Sequence, residues 1–162
     1  MFINFFAAAC QNHTTATRFG LCDDENNTPA YIDTSDQLKW IAIVENQKIV
    51  KVTFTAIDNC IAILKADGSM ERRCDGMLTY TDNIVFVELK NQRRNWISDA
   101  VEQLKITIEC FTKHHNLGLF THKKAFACNK KRPNFCHSHK ETMRRFFNTY
   151  KIRLNIQAEI KI

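Results

Sequence analysis

Residues 72–92 read RRCDGMLTYTDNIVFVELKNQ, and this stretch predicts two β-strands joined by a polar turn. Apolar, β-branched and aromatic residues dominate about 73–80 and 84–90, as is typical of strands. Charged residues interrupt the apolar runs at three positions: Asp75, Glu88 and Lys90. Burial within a sheet makes an unpaired charge costly, so these three side chains require partners or water. The hairpin therefore predicts both a sheet and a candidate functional site.

The geometry of a hairpin brings the two acidic residues together. Side chains alternate between the faces of a strand, so Glu88 and Lys90 share one face. Pairing about position 82 places Asp75 opposite residue 89, within one residue of Glu88. Two carboxylates that lie so close repel each other, and one stays protonated unless a cation intervenes. Because Mg²⁺ takes carboxylate and other oxygen ligands, the hairpin predicts a metal site formed by Asp75, Glu88 and the backbone carbonyl of Leu89.

Such a site suits the hydrolysis of phosphodiesters. A bound metal acts as a Lewis acid on a phosphoryl oxygen and lowers the pKa of a bound water. Lys90 is expected to orient or help deprotonate that water, or to stabilise the charge that develops on the phosphoryl oxygens. The alternative is an exposed cross-strand ion pair on a solvated sheet, worth at most about 1 kcal/mol.

The same residues carry a resemblance to a known family. Asp75, a spacer of about a dozen residues and then Glu88-Leu89-Lys90 at the end of an apolar strand resemble the site of the PD-(D/E)xK nuclease superfamily. This superfamily includes many restriction endonucleases, phage-type exonucleases and Holliday-junction resolvases. The resemblance covers roughly residues 35–150. It implies an α/β fold with a restriction-endonuclease-like core, in which helices flank a central mixed β-sheet.

The resemblance also implies two further site residues. Several branches of the superfamily carry a glutamine on the helix after the Glu-x-Lys strand, which assigns a catalytic role to Gln103. Many members place an acidic residue on their first helix, and Glu45 is the candidate for this additional metal ligand. The sequence departs from the family pattern at Cys74, where the pattern has proline.

Patterning along the chain predicts the remaining elements and the domain organisation. Residues 1–34 are predicted to be a loop-like, weakly ordered lead-in, and residues 35–162 a single PD-(D/E)xK-like nuclease domain. Helical spacing of apolar residues predicts helices, and alternation or β-branched runs predict strands. The predicted helices are 34–47 with Ser35 as cap, 96–113 and 138–150, and the predicted strands outside the hairpin are 48–58, 60–64, 122–130 and 151–162.

The charge balance favours a polyanionic partner. The chain has 23 Lys and Arg against 17 Asp and Glu, a net charge of +6, which suits nucleic acid. We predict DNA as the partner, with RNA also open. The predicted phosphate contacts are Arg93, Arg94, Lys130, Lys131 and Arg132. A charge of this size also aids solubility, so a basic structural protein with no nucleic-acid role remains an alternative.

Cysteine usage and hydropathy bear on the cellular setting. The seven cysteines are odd in number and scattered, and several lie within apolar runs. Free cysteine in such runs behaves as a small apolar residue, so we expect reduced thiols and a cytoplasmic protein. No run approaches the ~20 apolar residues needed to span a bilayer, and we predict no membrane partner.

Together these patterns predict an enzyme: a nuclease that depends on Mg²⁺ or Mn²⁺ and hydrolyses DNA phosphodiester bonds through its Asp…Glu-x-Lys site. The alternative is a catalytically inactive module of the same fold that binds nucleic acid or a protein partner. A homodimer and a subunit of a larger assembly are both compatible with either function.

Overall fold

The computed structural model describes residues 1–131 and 139–162. Within those residues the chain forms an α/β fold of two mixed sheets and two α-helices. The strands are β1 (Gln11–Thr14), β2 (Arg18–Cys22), β3 (Tyr31–Asp33), β4 (Ala42–Glu45), β5 (Val52–Ala56), β6 (Gly76–Tyr80), β7 (Asn83–Lys90), β8 (His122–Asn129), β9 (Arg153–Ile156) and β10 (Glu159–Lys161). The helices are α1 (Ile97–His114) and α2 (Lys140–Tyr150).

The larger sheet has six strands in the order β1-β5-β6-β7-β8-β9. Its first four strands are antiparallel neighbours, whereas β7, β8 and β9 run parallel. The parallel pairing of β7 with β8 requires a crossover, and α1 supplies it. The smaller sheet has the order β10-β4-β2-β3, in which only the pairing of β10 with β4 is parallel.

The six-stranded sheet separates two apolar cores. One core contains Phe86 of β7 together with Leu104 of α1 and Phe146 of α2, so both helices cover the same face. The other core contains Val85 and Val87 of β7 together with residues of the smaller sheet, such as Phe19. The helices therefore do not flank the sheet on both sides, because the smaller sheet occupies the second face. Glu88 and Lys90 lie two and four residues after Phe86 in β7, so their side chains are on the face of the sheet that the helices cover.

The structure confirms the central elements that the sequence predicts. The hairpin of β6 and β7, the strand β8 and the helices α1 and α2 all form within a few residues of their predicted bounds. Thr81 adopts a left-handed conformation with φ of 50° in the tight turn of the hairpin.

Three predictions at the amino-terminal side are wrong. The predicted lead-in contains β1, β2 and β3, each paired within a sheet. The predicted helix at 34–47 is a 3-10 helix, Gln37–Lys39, followed by β4. Its cap is Asp36, whose carboxylate accepts the N–H of Leu38, and Leu38 is 83% exposed where a helix would have buried it. The strand predicted at 60–64 is reduced to a single bridge between Leu64 and Met70.

The alternating segment 151–162 also departs from its prediction. Its apolar side chains are buried in alternation, yet the segment forms two strands that join different sheets. β9 pairs with β8 in the larger sheet, and β10 pairs with β4 in the smaller one. The bend between them, at residues 157 and 158, carries the chain from one sheet to the other.

The prediction that the cysteines are reduced thiols is wrong for two of them, because Cys10 and Cys60 form a disulfide. This bond joins the segment before β1 to the turn after β5. The free cysteines among the described residues are Cys22, Cys74, Cys110 and Cys128. None of the helices in the described part of the chain is long and apolar enough to cross a membrane.

Candidate active site

The register of the β6–β7 hairpin brings the two predicted acidic residues together. Gly76 pairs with Val87, so the next position places Asp75 opposite Glu88. The backbone N–H of Asp75 donates to Glu88 Oε2 at 3.2 Å, and the N–H of Leu89 donates to Asp75 Oδ2 at 2.6 Å. Both side chains are buried, with 6% of Asp75 and 2% of Glu88 exposed. The two carboxylates therefore share one nearly closed environment at the end of β7.

Close packing around Asp75 fixes this geometry. A Cβ atom at Gly76 would lie 2.4 Å from the ring of Phe54, so only glycine lets β6 approach β5 here. On the other side of Asp75, the N–H of Cys74 donates to Thr107 Oγ1 of α1 at 2.7 Å. Thr107 in turn donates to the carbonyl of Gln103 at 2.9 Å. The chain that carries Asp75 is thus tied to both β5 and α1.

Lys90 links the acidic pair to the first turns of α1. Its Nζ lies 2.9 Å from Glu88 Oε1, 3.0 Å from Asp99 Oδ2 and 2.6 Å from Gln103 Oε1. Asp99 and Gln103 are four residues apart and therefore face the same side of the helix. Only 11% of the Lys90 side chain is exposed. Three acceptors on two elements therefore hold the ammonium in one position.

Two arginines close the site on the side of α1. Arg72 forms an ion pair with Asp99, and Arg73 forms one with Asp58 at 2.9 Å. The carbonyl of Arg73 accepts a hydrogen bond from Gln103 Nε2 at 3.0 Å, which orients the amide so that its oxygen faces Lys90. Each arginine is thus paired with a carboxylate outside the acidic pair, and Lys90 is the cation that contacts Glu88.

Burial raises the pKa values of the two acidic residues. It raises the pKa of Asp75 to about 7, although the hydrogen bond from Leu89 opposes the shift. Burial and then the charge of Asp75 raise the pKa of Glu88 well above its usual range, and Lys90 offsets only part of this. Burial is the largest cause for both residues; the charges of Asp23 and Asp58 add to it for Asp75, and the charge of Asp75 adds to it for Glu88.

The pKa of the Lys90 ammonium is raised, although burial alone would lower it. Burial lowers its pKa, but the charges and hydrogen bonds of Glu88 and Asp99 outweigh this and raise it overall. The hydrogen bond from Lys90 lowers the pKa of Asp99, which remains ionised. Lys90 is therefore a fixed cation near neutral pH.

The structure brings together most of the predicted site residues. Asp75, Glu88, Lys90 and Gln103 form one connected cluster, and Leu89 belongs to it through its N–H. Glu45 does not join the cluster. It lies on β4 of the smaller sheet, and its carboxylate pairs with Arg18 at 3.0 Å. The predicted helix around Glu45 is a strand, which removes the reason for placing it at the site.

Sequence reasoning missed Asp99 as a member of the cluster. The available signal was its position four residues before Gln103, which places both on one helical face. The contacts of Arg72, Arg73 and Thr107 arise from the tertiary packing of α1 near β6. No spacing in the sequence indicates them.

The basic residues predicted as phosphate contacts lie at the same end of the sheet. Arg93 and Arg94 follow β7, and Lys130 and Lys131 follow β8, and all four are exposed. The parallel register aligns the ends of these strands, and the N–H of Lys130 donates to the carbonyl of Lys90 at 2.8 Å. Arg132 lies outside the described residues.

The donor set of the candidate site has few side chains for a divalent cation. No group of three or more His, Cys, Asp or Glu side chains within 1–131 and 139–162 is arranged to hold a metal. The predicted set is smaller, with two carboxylates and the carbonyl of Leu89. Both carboxylates have a raised pKa, and the hydrogen bond from Leu89 engages only Oδ2 of Asp75. Two carboxylates and a carbonyl are hard oxygen donors of the kind that bind Mg²⁺ or Mn²⁺.

No protein-family model, curated protein or solved structure matches this chain. The chemistry of the Asp75–Glu88–Lys90 cluster is therefore the basis for assigning a function.

Proposed function

We propose that the chain is a Mg²⁺-dependent nuclease that hydrolyses DNA phosphodiester bonds. The observation that carries the proposal is the convergence of two buried carboxylates, Asp75 and Glu88, beside an ammonium held by α1. Two adjacent carboxylates are costly to ionise in the absence of a cation. A site that retains them beside a fixed ammonium is suited to a metal and an anionic substrate.

The order of the elements supports a restriction-endonuclease-like core. The resemblance implies an acidic strand, a Glu-x-Lys strand, a helix with a glutamine, a further strand and a further helix. The chain supplies β6, β7, α1, β8 and α2 in that order, with Asp75 immediately before β6. The smaller sheet is an addition to such a core and lies on the face away from the site.

The residues have distinct roles in the proposed reaction. Asp75, Glu88 and the carbonyl of Leu89 would hold the metal, which when bound polarises a phosphoryl oxygen and lowers the pKa of water. Hydrolysis adds water to the phosphorus atom and breaks a P–O bond to the sugar. Lys90 stabilises the negative charge that builds on the phosphoryl oxygens. Because the pKa of Lys90 is raised, it acts as a hydrogen-bond donor and not as the base that removes a proton from water.

Asp99 and Gln103 position Lys90, and the exposed arginines and lysines bind the substrate backbone. Gln103 contacts both Lys90 and the carbonyl of Arg73, so it couples the ammonium to the chain beside Asp75. Arg93, Arg94, Lys130 and Lys131 are exposed at the same end of the sheet as the site and would contact phosphates on either side of the scissile bond. Such contacts fix the orientation of the nucleic acid without selecting a sequence.

Cleavage of supercoiled plasmid and of linear duplex tests the proposal. The wild-type chain should cut with Mg²⁺ or Mn²⁺ and not with EDTA. Glu88→Gln and Lys90→Met should abolish cutting, whereas the matched exposed changes Glu102→Gln and Lys65→Met should leave it intact. Equal cutting by all five proteins, or by none, would contradict the proposal. Calorimetric titration with Mn²⁺ gives a separate readout, in which Glu88→Gln should lose the binding heat.

A catalytically inactive module that binds nucleic acid or a protein partner is the second candidate. The specific observation in its favour is that, among the residues that the structure describes, only Asp75 and Glu88 converge, while Asp99 is engaged by Lys90 and Arg72. This candidate predicts that nucleic acid is bound but not cut, with binding unaffected by Lys90→Met. Parallel assays with an RNA of the same sequence decide between the two kinds of nucleic acid.

A further inference from the structure

The opposite end of the six-stranded sheet carries a second concentration of positive charge. A cleft of about 440 Å³ lies where β6 ends and β7 and β8 begin. Its lining includes Lys48, His122, Lys124 and Lys161, and among its described lining residues the only acidic side chain is that of Asp82. None of the three lysines has a carboxylate partner among the described ion pairs. Unpaired lysines around one concave surface attract a multiply charged anion.

A second cleft of about 280 Å³ adjoins the first and shares His122 and Lys124 with it. It adds three further cations: Lys123, Lys151 and Arg153. It also contains Phe147, whose side chain is 48% exposed. The Nζ of Lys151 lies over the Phe147 ring, 6.0 Å from its centre, so a cation and a half-exposed aromatic ring are neighbours in this cleft. We call the surface formed by these two clefts the basic edge.

The combination of cations with an exposed ring distinguishes among polyanions. An acidic peptide or an anionic lipid headgroup would use the charges, but neither brings a flat group beside every charge as a nucleotide does. An unpaired nucleobase stacks on an aromatic ring while the phosphates on either side bind lysine and arginine, which is how proteins hold single strands. We infer that the basic edge binds a single-stranded segment of nucleic acid.

This surface is distinct from the candidate active site. β7 begins at the basic edge and ends at Lys90, and its eight residues at about 3.3 Å each span roughly 25 Å. Ligand binding at the basic edge needs neither the acidic pair nor a metal. The inference therefore goes beyond the proposed function and would stand even if the chain did not cut.

Fluorescence anisotropy with a labelled 20-nucleotide single strand, in EDTA, tests the inference. The triple variant Lys48→Gln/Lys124→Gln/Lys161→Gln removes three charges from the basic edge. The control triple Lys65→Gln/Lys113→Gln/Lys140→Gln removes three charges elsewhere. We expect the first to weaken binding about tenfold relative to the second. The slope of log K against log salt should also become shallower by about 2, since each phosphate contact on a single strand contributes about 0.7.

Phe147→Ala tests the assignment to an unpaired base. Loss of one stacking platform should weaken single-strand binding on the order of tenfold and leave duplex binding nearly unchanged. Thermal melting of every variant verifies that it is folded. Equal weakening by the two triple variants, no effect of Phe147→Ala on the single strand, or equally tight binding of polyglutamate would overturn the inference. Repeating the anisotropy measurements in the Glu88→Gln background shows whether single-strand binding is independent of the candidate active site.

Discussion

Asp75 and Glu88 are carboxylic acids in surroundings that disfavour their ionised forms. The folded-state pKa of Asp75, about 7, lies above its ordinary value of 3.8. Its protonated form therefore contributes fully to stability below about pH 4, and this contribution is lost as the pH rises towards 7. In the absence of metal, the site is a source of instability at neutral and alkaline pH.

Replacing Asp75 by Asn should therefore stabilise the metal-free protein. The amide oxygen can still accept the N–H of Leu89, while the cost of a buried charge is removed. At pH 8 in EDTA we expect the free energy of unfolding to rise by up to roughly 4 kcal/mol, which corresponds to the shift in pKa. The gain should shrink below pH 7 and vanish below about pH 4. Urea unfolding at several pH values measures it, and the exposed change Asp24→Asn serves as control.

Lys90→Met should have the opposite effect, because it leaves Glu88 without its nearest cation. Breaking a buried pair from one side costs roughly 3–5 kcal/mol, an upper figure here because Glu88 can take up a proton. The double variant Glu88→Gln/Lys90→Met should be more stable than Lys90→Met alone. Urea unfolding at pH 8 provides the comparison, with Lys65→Met as a surface control. If the double variant were no more stable, the Glu88–Lys90 pair would have no energetic role.

Individual residues differ in how far the sequence reveals them. Asp75, Glu88 and Lys90 stand out because charges interrupt apolar strands, and strand alternation then gives their shared face. Asp99 does not stand out, since an acidic residue in the first turn of a helix is commonplace. Its contact with Lys90 arises from the packing of α1 against β7, which no local pattern specifies.

At the scale of elements, α1 matters because it fixes the position of the strand that carries Asp75. The N–H of Cys74 is buried, and Thr107 Oγ1 is its acceptor. A buried donor that loses its acceptor costs about 1–3 kcal/mol. This hydrogen bond acts beside the one from Gln103 Nε2 to the carbonyl of Arg73, and its own energy can be measured.

Thr107→Val removes that acceptor while preserving the shape of the side chain. We expect the free energy of unfolding to fall by about 1–3 kcal/mol in urea titrations. Thr112→Val makes the same change on the exposed side of α1, where the hydroxyl bonds only to the carbonyl of Glu109, and should change stability by less than about 0.5 kcal/mol. Equal losses in the two variants would show that valine itself destabilises the helix.

Elements with a single strong pattern are predictable from this sequence. The apolar stripe of α1 and the turn between β6 and β7 each allow one interpretation. The segment 34–47 allows two, because apolar residues at 38, 41 and 42 suit a helix while those at 42 and 44 suit a strand. Pairing of β4 between β2 and β10 decides in favour of the strand, and those partners are distant in sequence.

At the scale of the whole molecule, the Cys10–Cys60 disulfide connects two segments that are 50 residues apart. In the chain-entropy description, closing a loop of this length stabilises the folded state by about 4 kcal/mol. Seven cysteines allow many pairings, and only the packing of the segment before β1 against the turn after β5 selects this one. Neither composition nor spacing could have identified it.

Reduction should therefore lower the stability of the wild-type chain. We expect the free energy of unfolding to fall by up to about 4 kcal/mol when a thiol reductant is added. The variant Cys10→Ala/Cys60→Ala should resemble the reduced protein and show no response to reductant. A response of that variant would attribute the effect to other cysteines.

The division of the last segment between two sheets has a consequence for how the chain folds. β10 meets β4 across more than a hundred intervening residues, and β9 pairs with β8 from the far side of α2 in the chain. Contacts between such distant segments slow the search for the native state. During that search the open sides of β4 and β8 have no neighbour, so newly unfolded or freshly made chains are most prone to aggregate there.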